Sequence, residues 1–202
     1  MQALLKLSKA IDGLNAFVGR YVIWLILAAT LVSSINAVVR KVFHTSSNAF
    51  LEVQWYFFAA SFLLAAGYAL EKEHVKVDVI NAKLSQRTRA WIDVFGFIFF
   101  LTPVCLIVLK YSIPFFLQGF HSGEVSSNAG GLIRWPVYLM MPLGFGLLML
   151  QGFSELIKRI AFLRGLIDDP MVKRVEKSAE EELAEAIRQA KELAAAKKAQ
   201  NA

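Results

Sequence analysis

The stretch from Leu51 to Asp78, LEVQWYFFAASFLLAAGYALEKEHVKVD, decides the fold. It begins with the carboxylate of Glu52 at the edge of an apolar run and ends in the charged patch EKEHVKVD. Between them lies about a bilayer's thickness of aromatic, small and aliphatic residues. A helix of this composition has no polar face, which is not typical of a water-soluble fold. We interpret it as a membrane helix with a buried carboxylate near one end.

The composition of the whole chain points the same way. Of its 202 residues 56% are hydrophobic and 19% are charged, and the net charge is +6. Soluble proteins are usually about half apolar and about a quarter charged. The lysines and arginines flank apolar runs and form no single stripe, which argues against nucleic-acid binding. The single cysteine, Cys105, cannot form an internal disulfide and is expected to be a small buried residue.

Four apolar runs predict an all-α integral membrane bundle. The expected transmembrane helices cover about 21–39, 50–70, 90–109 and 132–153, within a membrane domain of residues 20–165. In the first span Ser33, Ser34 and Asn36 are expected to face inward, because unpaired polar groups are costly in lipid. Pro103 should kink the third span. Residues 111–131 are expected to form the longest loop between spans.

The two ends of the chain lie outside these spans. Residues 1–19 have apolar side chains at helical spacing, which predicts an amphipathic helix in the membrane interface or, equally, an extension of the first span. Residues 166–202 are rich in Ala, Glu and Lys and predict a charged, solvated helical tail. Basic residues concentrate in the N-terminal segment, the middle linker and the start of the tail, which places both termini in the cytoplasm. Arg40 and Lys41 are the exception, a basic pair on the outer side.

Glu52 is the sharpest single feature, since an intramembrane carboxylate usually has a partner. The topology places Lys110 and Arg134 near the same end of the bundle. We therefore expect a structural ion pair between Glu52 and one of these two cations. An ion or proton site at Glu52 is the alternative, although no second carboxylate lies at mid-depth to complete a relay.

Other candidate residues are interpreted as structural. Ala59 and Ala66 share a face with Glu52, and Gly67 lies on a neighbouring small stripe, so another helix can approach closely. His74 and Asp78 are four residues apart, but no third metal ligand is evident, and we expect them to fix a turn between spans two and three. No catalytic motif occurs, so neither an enzyme nor a cofactor is predicted.

Several short motifs resemble the small membrane subunit, the Q-type or DctQ-like component, of tripartite ATP-independent periplasmic (TRAP) transporters. They are EVQWY at 52–56, GYAL at 67–70, HVKVD at 74–78, WP at 135–136 and MPLG at 141–144. The resemblance covers about 20–160, and its HVKVD patch is the most specific part. It adds Trp135 and Pro142 to the structural or subunit-interface residues.

The resemblance implies a role. In such systems a periplasmic solute-binding protein captures a solute, commonly an organic acid, and a large membrane subunit moves it across the bacterial inner membrane with sodium ions. The small subunit is expected to be a scaffold that packs against the large subunit and helps to receive the binding protein. The alternative is an independent channel or transporter that uses Glu52.

Overall fold

A computed structural model describes residues 1–44, 47–72 and 84–168 of the chain. The described residues form six α-helices and one π-helical turn: α1 Gln2–Phe43, α2 Asn48–Leu64, α3 Ala66–Lys72, α4 Gln86–Gly96, the π turn Phe97–Leu101, α5 Thr102–Ser122 and α6 Trp135–Leu163. Within these ranges β-type backbone pairing is limited to one isolated bridge between Val125 and Ile133. The predicted all-α class is therefore confirmed.

Four helical stretches of the described chain are long and apolar enough to cross a membrane. They are Gln2–Phe43, Asn48–Glu71, Gln86–Ser122 and Trp135–Leu163. Large apolar side chains remain exposed on their outer surfaces, with Phe62 82% and Trp24 63% exposed. Such a surface is suited to lipid or to a membrane partner, and the four-span architecture agrees with the sequence.

The amino-terminal segment continues the first span without a break. One helix runs from Gln2 to Phe43, so residues 2–19 form the extension of the span that the sequence left open as an alternative. Ser8 and Asn15 are buried on its inner face, while Leu4 and Leu14 are exposed. The placement of this segment in a membrane interface stays a prediction.

Only part of the expected polar stripe of the first span faces inward. Asn36 is buried, but Ser33 and Ser34 are exposed. The Ser34 hydroxyl donates to the carbonyl of Thr30, 2.9 Å away. Because a serine can satisfy its hydroxyl on its own helix, the inward prediction was wrong for the two serines.

The third span is longer than predicted. Helix α5 continues to Ser122, so residues 111–122 are helical and only 123–134 form the connection to α6. The helix ends at Gly123, which adopts the left-handed conformation with φ of 62°. The glycine, rather than the earlier change in composition, stops the helix because it tolerates this conformation without strain.

Pro103 follows a widened turn in the third span. The backbone amide of Thr102 donates to the carbonyl of Phe97 five residues earlier, which is the π-helical pattern. The hydroxyl of Thr102 donates to the same carbonyl at 2.7 Å. Proline has no amide hydrogen and crowds the preceding turn. The predicted distortion thus takes the form of a π turn just before the proline.

Helix α6 is the centre of the bundle and packs against all five other helices. Gly144 allows α6 to approach the backbone of α2 closely, because a methyl group at this position would lie 2.5 Å from the carbonyl oxygen of Leu63. Cys105 is fully buried, as expected from the sequence. The large polar side chains that are fully buried belong mainly to α6, and they lead to the sites described next.

Candidate functional site

Two polar clusters lie at opposite ends of the bundle. We call the first the loop clasp: the carboxylate of Glu52 on α2 with Ser126, Asn128 and Leu132 of the connection between α5 and α6. We call the second the polar network, which joins the start of α1 to the second half of α6.

The loop clasp is built on a nearly buried carboxylate, since Glu52 is only 4% exposed. One of its oxygens accepts hydrogen bonds from the Ser126 hydroxyl and from the Asn128 amide, the latter at 2.8 Å. The other oxygen accepts the backbone amide of Leu132 at 2.7 Å. Three donors from one loop therefore converge on one side chain.

The loop is folded so that its donors reach Glu52. The amide of Ser126 donates to the carbonyl of Leu132 at 2.9 Å, which brings the two ends of the loop together. Gly130 turns the chain with φ of 71°, a left-handed conformation that favours glycine. The side chains of α2 add further ties: the Tyr56 hydroxyl donates to the carbonyl of Ile133 at 2.8 Å, and the Asn48 amide donates to that of Ala129 at 3.2 Å.

The expected ion pair of Glu52 is not formed, which corrects the sequence interpretation. Arg134 pairs with Glu124 at 2.9 Å, and the Tyr138 hydroxyl donates to the same carboxylate at 3.1 Å. Lys110 lies on the outer surface of α5, with its ammonium 5.8 Å from the centre of the Tyr111 ring. The prediction failed because backbone and neutral side-chain donors can hold a buried carboxylate as well as a cation can, and a sequence does not show where a loop folds back.

The polar network centres on Asp12 of α1. Its carboxylate accepts from the hydroxyl of Ser154 at 2.7 Å and from the amide of Gln151 at 2.8 Å. The ammonium of Lys158 lies 3.0 Å from Asp12 and 2.6 Å from Glu155. One lysine thus compensates two carboxylates, one from each helix.

Further contacts extend the network along both helices. The Asn15 amide donates to the side-chain oxygen of Gln151 at 2.9 Å, and the hydroxyls of Ser8 and Ser154 are 2.7 Å apart. Arg159 reaches α4, where its Nε donates to Asp93 at 2.9 Å. The network therefore ties α1, α4 and α6 together at one end of the bundle.

Sequence reasoning missed the polar network. Lys158 and Arg159 follow the predicted last span as a basic pair, whereas the side chain of Arg159 is 1% exposed. A signal was present: Ser8, Asp12 and Asn15 follow each other at helical spacing, and so do Gln151, Ser154 and Lys158. Two matching polar stripes on apolar helices indicate that the helices face each other.

The small residues predicted to allow close packing divide into two groups. Gly67 is buried against Asn15, where a methyl group would collide with the asparagine side chain. Ala59 and Ala66 are half-buried, and Ala66 lines an apolar groove of about 760 Å³ between the α2–α3 break and α6. The neighbouring stripe through Gly67, not the one through Ala66, is therefore used inside the bundle.

The remaining predicted residues have separate positions. Trp135 and Pro142 are half-buried in α6, and the Trp135 ring packs edge-on against Phe120 at 5.5 Å. His74 and Asp78 lie outside the described residues, so their proposed turn stays a prediction. Within residues 1–44, 47–72 and 84–168 there is no group of three histidine, cysteine, aspartate or glutamate side chains that could hold a metal ion.

Four helices are long and apolar enough to cross a membrane, and the charged side chains of the two polar clusters are bound within the protein. These features are those of a multi-pass integral membrane protein. Comparison with protein families then defines it further. The family model described as "Tripartite ATP-independent periplasmic transporters, DctQ component" matches residues 29–162. The chain belongs to this family and is a small membrane subunit of a TRAP transporter.

The match covers the loop clasp completely and the polar network in part, since Ser8, Asp12 and Asn15 precede the matched range. The family is a transporter component, not an enzyme family, and its members generally work with a large membrane subunit and a solute-binding protein. No curated protein and no solved structure matches the chain.

Proposed function

We propose that this chain is the scaffold subunit of a sodium-coupled TRAP transporter for an organic acid in the bacterial inner membrane. It packs against the large transport subunit, which binds the solute and the sodium ions. Both termini are cytoplasmic, and the end that carries the loop clasp faces the periplasm, where it helps the solute-binding protein to dock.

The hydrogen bonding of the Glu52 carboxylate is the main support for this proposal. All of its described contacts are hydrogen bonds that fasten the chain's own loop. A carboxylate engaged by three internal donors serves the architecture, because an ion or proton that used it would have to displace those donors. This supports a scaffold over an independent channel or transporter at Glu52.

Reconstitution into sealed vesicles tests the proposal. The small subunit alone should give no solute or sodium flux, and the large subunit with the binding protein should need the small subunit for uptake. The two membrane subunits should also co-purify. Flux through vesicles that contain only the small subunit, if lost in a Glu52→Gln variant, would establish the independent transporter instead.

A further inference from the structure

We draw no further inference here: the strongest candidate, the apolar groove of about 760 Å³ that Ala66 and Gly144 line between the α2–α3 break and α6, is suited equally to a lipid chain and to a partner helix, and nothing in the structure shows what covers it.

Discussion

Glu52 accepts three hydrogen bonds from one loop, so its removal leaves three donors without an acceptor. Glu52→Ala should clearly lower the free energy of unfolding, since it removes hydrogen bonds to a charged group and leaves buried donors unpaired, and both losses are costly. Glu52→Gln should cost less stability than Glu52→Ala, because the amide oxygen still accepts a hydrogen bond. Some loss remains, since the NH2 group faces another donor. Thermal or denaturant unfolding of the purified subunit measures both effects.

Glu124 provides the control for Glu52. Its pair with Arg134 is partly exposed, with side chains 42% and 38% accessible, so Glu124→Gln should cost less than about 1 kcal/mol. Losses in Glu52→Gln and Arg134→Gln should nearly add in the double variant, with only a weak coupling, since the two side chains attract each other across a distance but form no ion pair. A strong recovery in the double variant would show that Glu52 and Arg134 are paired after all.

Lys158 should be the least tolerant position of the polar network. Its replacement by methionine leaves Asp12 and Glu155 without their shared cation. Removing one partner of a buried ion pair lowers the free energy of unfolding by about 3–5 kcal/mol. The apparent melting temperature of the Lys158→Met variant should therefore fall sharply. Arg164→Met is a suitable control, because Arg164 lies just beyond α6 and is exposed. Equal melting temperatures of the two variants would contradict a structural role for the network.

At the scale of elements, the contact between α2 and α6 depends on Gly144. Gly144→Ala would place a methyl group against the backbone oxygen of Leu63, so the helices must separate and stability should fall. Gly146 is the matched control on the same helix, because a methyl group there meets no atom within 4 Å. Gly146→Ala should be neutral or stabilising by up to about 1 kcal/mol. A circular-dichroism melt of each variant distinguishes the two.

The sequence predicted the helices better than it predicted their contacts. Apolar runs long enough to span a bilayer identify all four spans, because length and hydrophobicity are local properties. The end of α5 was misplaced because Gly123 determines it, whereas the stretch before it, with Gln118 and Gly119, already has the composition of a loop. The partners of Glu52 were not predictable, since a backbone amide such as that of Leu132 leaves no trace in the residue type.

The polar network shows a different limit. Its members on α1 and α6 are far apart in the chain, and each stripe alone is compatible with a solvated helix face. Only the pairing of α1 with α6 makes them complementary, and helix pairing is a property of the whole bundle. Lys158 and Arg159 lie beyond the predicted end of the last span at residue 153, where basic residues are common at the membrane surface.

At the scale of the whole molecule, the length of α1 sets a geometric condition. Its 42 residues extend about 63 Å, whereas the hydrocarbon of a bilayer is about 30 Å thick. Arg20 and Arg40 are both exposed and are separated by about 30 Å along the helix. We therefore expect the hydrocarbon to surround the part of α1 between these two arginines.

Spin labels at exposed positions of α1 measure this depth. Labels at Ile23, Leu31 and Ile35 should be accessible to oxygen, which concentrates in hydrocarbon. Labels at Leu7 and Leu14 should be accessible to a water-soluble relaxation agent instead. Hydrocarbon accessibility that extends to Leu7 would mean that the helix is strongly tilted and that its first turns are immersed in lipid.

Because α1 is about twice as long as the hydrocarbon is thick, one of its ends lies in the aqueous solution. For α1 this is the end held by Asp12 and Lys158, and the side chain of Asp12 is already 21% exposed. Dissolved ions screen mostly buried charges far less than exposed ones, and the side chain of Lys158 is only 11% exposed. Added salt should therefore leave amide hydrogen exchange in the first turns of α1 nearly unchanged, although these turns lie in water, and a clear increase with salt would show that water reaches the polar network.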